Sequence, residues 1–393
     1  MGYINVFRHS QLMVLVLASP VAFAQAVKVE PVANPAPQGS VEAHWGSDTD
    51  GSPLLSWIEP TSGGSFAMRY SFRHGAQWSQ PRTIVANRHF FRQPAESPSL
   101  VSFPGGALLA EWVEVPESAS EAEYIYISAS KDGVQWTTPV MTNQDRSPVQ
   151  HALVSMVASS DQEASLVWLE ALKGEDEPSR LKRTVVTSSG KVLKEEILEP
   201  DVCTCCPTSI VRKARGLLVA YRGHTPKDIR DIAVKLFENG KWLPAKNLNP
   251  DNWEINACPV NGASAAAMDN RIAIGWYTEG GDKPRVQLVF SVDGGATFGK
   301  PIMVNTGDAL GHASTALTQD GGAFVSWIEE GDKSSHVLAR FVSAAGVAGP
   351  AVQVAEGSTQ SIGYPRLLQA GKETWIAWGN STNGRVQTAR LVK

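Results

Sequence analysis

Seven short segments, each ending in an aromatic residue, recur at nearly equal spacing along this 393-residue chain. The successive aromatics are 55, 56, 53, 55, 51 and 51 residues apart, and they are Trp57, Trp112, Trp168, Tyr221, Trp276, Trp327 and Trp378. A period of about fifty residues is typical of propellers and other repeat architectures, in which each repeat is one supersecondary unit. The pattern therefore predicts seven similar units.

Each repeat contains the same order of strand-like segments. An apolar strand is followed by a tight turn, the tryptophan strand, a third alternating strand such as FAMRYSF, and a short fourth strand such as PVMTN. Alternation with a period of two, bounded by turn residues, favours strands over helices. Four antiparallel strands make one propeller blade. We therefore predict an all-β fold, a seven-bladed β-propeller of four-stranded antiparallel blades, with six blades as the alternative if one repeat is irregular.

The last repeat contains only three clear strands before the chain ends at Lys393. Residues 26–32, AVKVEPV, provide a spare strand near the other end of the chain. Pairing this strand into the last blade would close the ring and remove exposed sheet edges, which promote aggregation. We expect the N-terminal strand to close the propeller.

The N-terminal residues resemble an export signal. Arg8 and His9 precede a short apolar run, and Ala22-Phe23-Ala24 fits the small-x-small pattern of a cleavage site. We predict a signal peptide at 1–24, a single propeller domain at 25–393, and a periplasmic or secreted protein. The apolar run is too short to span a membrane. With a net charge of -4 and no basic stripe, we expect no nucleic-acid partner and a monomer.

Two turns carry a family resemblance. The segment SVDGGATF at 291–298 and the segment SKDGVQW at 130–136 resemble the Asp-box (BNR) turn. In such a turn an Asp side chain caps main-chain amides and Gly takes positive-φ positions. The chain thus resembles the sialidase superfamily, whose members carry these turns on propeller blades.

The resemblance implies a catalytic set of an arginine triad for a sugar carboxylate, a Tyr/Glu nucleophile pair and an Asp acid/base. Arg92, in the segment FRQP, is similar to the first arginine of that triad. Tyr364, in GYPRL, matches a nucleophile position, and Arg366 lies beside it. The other two arginines and the Asp loop have no evident match, so the resemblance leaves catalysis open and supports an exo-sialidase-like glycoside hydrolase if the protein is an enzyme.

The four cysteines of the chain lie in two segments that precede inner strands of neighbouring blades. Cys203, Cys205 and Cys206 lie in DVCTCCPT before blade four, and Cys258 lies in NACPVNG before blade five. Propeller topology places both segments on one face near the central channel. Disulfides are the default in an exported protein, with Cys206–Cys258 and Cys203–Cys205 as the expected pairs. The alternative is a thiolate metal site for copper or zinc; no other cofactor is expected.

Polar residues that break the repeat cluster on the same face, mainly in blade four. Arg222 and Arg230 either form a buried ion-pair network with Asp231 between strands or bind an anionic ligand, because paired arginines match carboxylate geometry. Asp231 is a candidate acid/base. His224 and Asn261 are further candidate ligand-binding residues at this face.

Three functions remain open from these residues. The first is binding, with or without hydrolysis, of an acidic glycan or small anionic ligand at the channel mouth near blades four and five. The second is a non-enzymatic metal-binding protein that uses the four cysteines, with His224 or His312 in support. The third is a propeller that acts as a scaffold for a protein partner.

Overall fold

The computed structural model describes residues 1–2, 26–116, 122–172, 179–358, 362–379 and 384–393. The predicted signal peptide therefore lies almost entirely outside the described residues. Thirty strands in the described ranges form seven antiparallel sheets, one for each repeat of the sequence. The predicted seven-bladed propeller is confirmed. In the part of the chain described here, no helix is long and apolar enough to cross a membrane.

The strands of the first three blades follow one another in chain order. The N-terminal strand is β1 (Lys28–Pro31). Blade one contains β2 (Val41–Ser47), β3 (Pro53–Pro60), β4 (Phe66–His74), β5 (Gln77–Trp78) and β6 (Arg82–Arg88). Blade two contains β7 (Ser99–Ser102), β8 (Leu108–Glu114), β9 (Tyr124–Ser130) and β10 (Val140–Met141). Blade three contains β11 (His151–Ala158), β12 (Glu163–Ala171), β13 (Ser179–Thr187) and β14 (Glu196–Val202).

The remaining blades keep the same order. Blade four contains β15 (Ser209–Lys213), β16 (Gly216–Arg222), β17 (Ile232–Glu238), β18 (Lys241–Trp242) and β19 (Lys246–Asn247). Blade five contains β20 (Ser264–Met268), β21 (Arg271–Thr278), β22 (Arg285–Ser291) and β23 (Ile302–Met303). Blade six contains β24 (Ala309–Leu317), β25 (Ala323–Glu330), β26 (Ser335–Val342) and β27 (Val352–Gly357). Blade seven contains β28 (Arg366–Ala370), β29 (Glu373–Trp378) and β30 (Gln387–Val392). In blades one and four the outer edge is divided between two short strands that both pair with the third strand.

The ring closes through the N-terminal strand. β1 pairs antiparallel with β30, with Lys28 opposite Val392 and Pro31 opposite Ala389. Beyond the strand, the Val32 amide donates to Thr388 O at 2.9 Å. The expected closing strand is confirmed and is shorter than the segment 26–32, because Pro31 ends the ladder.

The second strand of each blade forms the core, since it packs between the two neighbouring blades. The strand PLLSWIEP of blade one, for example, is buried at its first six positions. Trp57, Trp112 and Trp327 are fully buried, and each donates its indole N–H to a glutamate two residues later, at 2.7, 2.5 and 2.7 Å. In these three blades the Trp-x-Glu pattern thus satisfies a buried donor, whereas in blade three Glu170 pairs with Lys182 and the Trp168 indole has no partner among the described residues.

The inner strands of blades one, three and six begin with a β-bulge. Register shifts follow Val41, Ala152 and Gly311. At each shift a residue other than glycine adopts the left-handed conformation: Glu42 (φ 52), Leu153 (φ 59) and His312 (φ 54). Bulges redirect side chains and are common beside functional sites. We call the face on which the chain enters the inner strands the mouth face.

The two turns that resemble Asp-boxes lie on the opposite face. Ser291 Oγ donates to Asp293 Oδ1 at 2.7 Å, and the Thr297 amide donates to the same carboxylate oxygen at 2.9 Å. The earlier turn repeats the pattern, with Ser130 Oγ donating to Asp132 Oδ1 at 3.1 Å. Each turn also accepts a bond from the preceding blade, from the Tyr70 hydroxyl to Gly133 O at 2.6 Å and from Lys246 Nζ to Gly295 O at 2.7 Å, so the turns stabilise the blade ends and their contacts.

Candidate ligand site at the channel mouth

A cavity of about 370 Å³ opens on the mouth face between blades one, two and seven. Its wall includes Glu42 from the β2 bulge, Arg92 and Ser97 from the loop that enters β7, Tyr364 and Arg385. A second space of about 180 Å³ lies in the central channel and shares Ser97 with the first. The mouth face thus has a cavity that continues toward the channel.

A larger cavity of about 580 Å³ lies on the opposite face, between blades six and seven. Five of the six charged residues in its described lining are already paired: Lys393 with Asp320 at 2.5 Å, and Arg390 with Glu30 at 2.7 Å and with Glu373 at 2.6 Å. A ligand there would have to replace exposed ion pairs. The mouth cavity is therefore the better candidate despite its smaller size.

Glu42 is the carboxyl of the mouth cavity. Burial raises its pKa to about 8, and the nearby Arg366 and Arg92 offset this rise only in part. A carboxyl with such a pKa is largely protonated at neutral pH. Glu42 therefore enters the cavity mainly as a neutral hydrogen-bond donor.

Arg366 lies against the wall of the cavity at the start of β28. Its Nη2 donates to Pro94 O at 3.4 Å and to Ser97 Oγ at 3.3 Å, both in the loop that enters β7. Its Nε is buried and has no hydrogen-bond partner among the described residues. Burial lowers the pKa of Arg366, but an arginine remains charged at physiological pH. The mouth therefore contains a partly buried positive charge, and its Nε–H donor is available for a further hydrogen bond.

Three histidines near the starts of inner strands, His44, His151 and His312, have two different environments. Burial, with a further contribution from Arg366, lowers the pKa of His44 and of His312 to about 3. Both imidazoles are therefore neutral at physiological pH. His151 is fully buried, and its Nδ1 lies 2.9 Å from Glu123 O. His44 and His312 therefore contribute no positive charge to the mouth.

Tyr364 is held by two contacts. Its ring stacks on that of His312, and its hydroxyl donates to Val260 O at 3.3 Å. Burial raises the pKa of the phenol. The structure brings Tyr364 and Glu42 to one cavity, as a Tyr/Glu pair requires, but the tyrosine is present as a neutral phenol.

Arg222 and Asn261, both expected to bind ligand, are occupied by structural hydrogen bonds. Arg222 is 2 % exposed and donates four hydrogen bonds to the carbonyl oxygens of Asn261, Arg230 and Tyr277. Asn261 donates to Pro259 O and Leu310 O, both at 3.1 Å, and accepts from the His312 amide at 2.6 Å. Together Arg222 and Asn261 hold the loops of blades four, five and six. Arg222 is therefore engaged by main-chain carbonyls and not by an anionic ligand, as one of the two sequence-based hypotheses had it.

Asp231 also has a structural role instead of the expected acid/base position. It is 5 % exposed and accepts hydrogen bonds from the amides of Asn252 and Trp253, both at 3.0 Å. The carboxylate caps the loop after β19 and faces no cavity lining. The buried ion pair considered for Arg222 and Asp231 is absent from the ion pairs of the described residues.

Arg230 and His224 form a small charged group beside the cysteines. Arg230 donates to Asp228 Oδ1 at 3.4 Å and to Cys203 Sγ at 3.5 Å. His224 lies between two carboxylates, with Nδ1 2.7 Å from Asp201 Oδ1 and Nε2 3.3 Å from Asp228 Oδ1. Both nitrogens of His224 are engaged, so His224 has no free nitrogen for the metal role considered above.

All four cysteines are described residues and all are free. Cys203 Sγ lies 3.6 Å from Cys206 Sγ and 3.9 Å from Cys205 Sγ, whereas a disulfide requires about 2.05 Å. The fourth, Cys258, is exposed and lies 3.6 Å from Thr204 Oγ1. The expected Cys206–Cys258 and Cys203–Cys205 disulfides are not present in this structure.

Two buried glutamates near the mouth were missed from the sequence. Glu111 is 0 % exposed and Glu96 is 1 % exposed. Glu96 accepts from the amides of Leu153 and Val154, and Glu111 accepts from the Ser99 amide at 3.0 Å. Burial raises the pKa of Glu111 to about 7, and burial followed by the charge of Glu111 raises that of Glu96.

A sequence signal for Glu111 does exist. It immediately precedes Trp112, and the corresponding residues of the other repeats are Ser, Val, Ala, Ala, Gly and Ser. An acidic residue in a fully buried strand, where the other repeats have small or apolar ones, is a departure that marks a special environment.

Neither a protein-family model nor a curated protein sequence matches this chain. Solved structures do match. A protein of unknown function from Dyadobacter fermentans has a TM-score of 0.52 and 14 % identity, covering 93 % of this chain and 98 % of its own. The likeness is one of fold.

Neuraminidase-like proteins are among the similar structures. A subtype N10 neuraminidase-like protein of A/little yellow-shouldered bat/Guatemala/060/2010 has a TM-score of 0.50 at 10 % identity, over 93 % of this chain and 97 % of that one. A neuraminidase-like protein from A/bat/Guatemala/164/2009 has a TM-score of 0.50 at 9 % identity, over 94 % and 95 %. These proteins share the fold of this chain, while the sialidase and Asp-box resemblance stays a prediction from sequence.

Proposed function

We propose that this protein binds an acidic glycan, or another ligand with a carboxylate, in the mouth cavity between blades one, two and seven. The observation that carries the proposal is the charge of this cavity. Arg92 and Arg385 line it and Arg366 lies against its wall, whereas Glu42, the one carboxyl in its described lining, has a pKa of about 8. At neutral pH the cavity is therefore positively charged.

A carboxylate is the ligand group that such a cavity favours. Guanidinium groups bind carboxylates through charge-assisted and often paired hydrogen bonds. A protonated Glu42 would add a donor instead of repelling the ligand. The proposed site differs from the sequence expectation, which placed the ligand near Arg222 and Arg230 in blades four and five.

The fold by itself does not identify the ligand. Proteins described as neuraminidase-like share the propeller architecture, and one fold serves many activities. Support for a sugar-carboxylate ligand therefore comes from the positive charge of the cavity.

Binding is the proposed function, and Glu42 is the group that would act if a bound glycoside were also cleaved. A general acid must be protonated at working pH, which a carboxyl with a raised pKa achieves. Tyr364 is a neutral phenol, and its hydroxyl is bonded to Val260 O. A nucleophilic role for Tyr364 would require this bond to break.

Calorimetric titration with N-acetylneuraminic acid and glucuronic acid, each beside its methyl ester, tests the proposal. The acids should bind and the uncharged esters should bind at least about tenfold more weakly, since charged hydrogen bonds contribute about 1.5–3 kcal/mol. The variant Arg92→Gln, Arg385→Gln should lose this preference. Equal binding of acid and ester would contradict a carboxylate site, and no binding of any ligand would favour the scaffold alternative.

Hydrolysis is tested separately. Release of 4-methylumbelliferone from the corresponding sialoside by the wild type, and its loss in Glu42→Gln, would establish an acid role for Glu42. Binding without release would establish a non-hydrolytic glycan-binding propeller.

We also propose that the protein is exported to the periplasm or beyond, on the basis of its N-terminal sequence. The mass of the protein recovered from the periplasmic fraction should correspond to a chain that begins at Gln25. A chain retained in the cytoplasm with residues 1–24 intact would contradict this.

A further inference from the structure

Three cysteine sulfurs converge at the mouth end of blade four. The Sγ atoms of Cys203 and Cys206 are 3.6 Å apart, those of Cys203 and Cys205 are 3.9 Å apart, and those of Cys205 and Cys206 are 4.0 Å apart. A metal–sulfur bond of about 2.3 Å places two ligand sulfurs about 3.8 Å apart in a tetrahedral site and about 4.0 Å apart in a trigonal one. The three sulfurs are therefore already at the separations that one shared cation would impose.

The chain holds these sulfurs from both sides. Cys203 immediately follows β14, and its amide donates to Arg222 O at 3.2 Å. Cys206 and Pro207 lead into β15, and Cys203 and Cys206 are 2 % and 1 % exposed. Cys205, between them, is partly exposed. Two sulfurs are thus fixed in the protein interior, and the third provides access from solvent.

Positive charge surrounds the cluster. Arg230 Nη1 donates to Cys203 Sγ at 3.5 Å, and the buried Arg222 contacts the loops on both sides of it. Three thiolates would carry three negative charges, and a buried charge needs compensation. A monovalent or divalent cation together with these arginines would provide it.

The number of converging ligands distinguishes between cations. Cys258 lies at the edge of the cluster, where its thiol reaches Cys205 and its sulfur is 3.6 Å from Thr204 Oγ1, but it is not among the three cysteines whose sulfurs all lie within 4.8 Å of one another. Protein zinc sites are almost always four-coordinate when structural. Soft Cu(I) is selected by thiolate ligands and is satisfied by three of them.

We infer that Cys203, Cys205 and Cys206 form a three-thiolate binding site for Cu(I), with Cys258 outside the primary ligand set. The ion binds as Cu(I), so no electron is transferred. The thiols that are protonated in the free protein release their protons as the copper–sulfur bonds form. The two sites have different ligand residues, and Tyr364 of the carboxylate cavity lies close enough to Cys205 and Cys206 to be influenced by their charge.

The test uses the full mature chain, reduced and freed of metal under anaerobic conditions. Cu(I) is offered in competition with bicinchoninate, and the bound copper is measured together with the ultraviolet thiolate-to-copper absorption. One Cu(I) per chain is expected. Cys203→Ser, Cys205→Ser and Cys206→Ser should each weaken binding by more than about 100-fold, the upper range for altering only the partners of metal ligands.

Cys258→Ser is the matched control and should bind Cu(I) as the wild type does. Cys205→Ser removes a partly exposed side chain, so its circular dichroism spectrum and melting temperature should stay close to those of the wild type, which separates lost binding from lost folding. Failure of the wild type to retain Cu(I) would overturn the inference. Binding of Cu(I) by the three Ser variants as tightly as by the wild type would also overturn it. Preferential retention of Zn(II) that is lost in Cys258→Ser would replace it with a four-thiolate zinc site. A Cys203–Cys206 disulfide that persists under these reducing conditions would also overturn it.

Discussion

The imidazole of His312 stacks on the phenol ring of Tyr364, with ring centroids 3.7 Å apart and planes inclined by 24°. His312 lies in the inner strand of blade six and Tyr364 precedes that of blade seven. The Tyr364 hydroxyl reaches the loop that enters blade five, where it donates to Val260 O at 3.3 Å. This pair therefore ties three blades together at the edge of the mouth.

Substitutions of Tyr364 should separate the ring from the hydroxyl. Tyr364→Phe keeps the stacking and loses one hydrogen bond, which should cost about 1 kcal/mol of unfolding free energy. Tyr364→Ala also removes the ring and should cost about 3 kcal/mol or more. Urea denaturation measures both. Equal losses in the two variants would show that the stacking contributes little.

Binding of a carboxylated ligand should depend on pH through Glu42. Its pKa in the folded protein is about 8, so the protonated form dominates at pH 6 to 7 and is lost as the pH rises through 8. Above that value the carboxylate repels the ligand and offsets one arginine, and affinity should fall by up to about tenfold per pH unit. Calorimetry at pH 6, 7, 8 and 9 measures the trend. Glu42→Gln should remove it, and tighter binding at pH 9 would contradict the role of Glu42.

Glu111 should make the propeller less stable at alkaline pH. Its pKa is raised from 4.5 to about 7 in the folded protein, so the folded state binds the proton more tightly than the unfolded state does. Its favourable contribution is complete below pH 4.5 and is lost as the pH rises through 7. The loss should approach about 3 kcal/mol.

The comparison of wild type with Glu111→Gln measures this effect together with the influence of the Glu111 charge on Glu96. Gln keeps an acceptor for the Ser99 amide, so the variant should lose less stability than the wild type between pH 5 and pH 8. Urea midpoints at the two pH values measure the difference. An identical pH dependence in both proteins would assign it to other groups.

Arg222 should be needed for stability and not for ligand charge. Arg222→Met leaves the carbonyl oxygens of Asn261, Arg230 and Tyr277 without their donor, and each buried unsatisfied group costs about 1–3 kcal/mol. The unfolding free energy should drop by at least about 3 kcal/mol. The exposed Arg92, which stacks on the Phe66 ring at 3.9 Å, is the control, and Arg92→Gln should cost no more than about 1 kcal/mol. A stable Arg222→Met protein that fails to bind the ligand would support the sequence-based hypothesis that Arg222 binds an anionic ligand.

The architecture could be predicted because it depends on local sequence patterns, namely the repeat of the aromatic residues and the order of the strands. The aromatic of each second strand recurs every fifty-odd residues, and Trp57, Trp112 and Trp168 are all buried. Even the closure by residues 26–32 followed from counting strands, because a sheet edge left open is unfavourable.

The site was harder to predict, because polar residues look alike in a sequence whether they face a ligand or a carbonyl oxygen. Arg222, Asp231 and Asn261 break the repeat at the mouth face, and this departure was interpreted as a ligand site. Their hydrogen bonds go to main-chain groups of neighbouring loops. Residues far apart in the chain supply those partners, and no spacing rule identifies them.

The sequence by itself determined the all-β repeat, the number of blades and the face that carries the cysteines, since periodicity and strand order depend on neighbours along the chain. Only the tertiary structure decided that Glu42, Arg92 and Tyr364 share a cavity, and that three sulfurs converge while Cys258 contacts only the edge of their cluster. Closing the ring brings residues 42, 92 and 364 together, and the loop conformation before β15 sets the sulfur separations. Distances of a few ångströms between side chains depend on packing across blades, which the order of residues does not show.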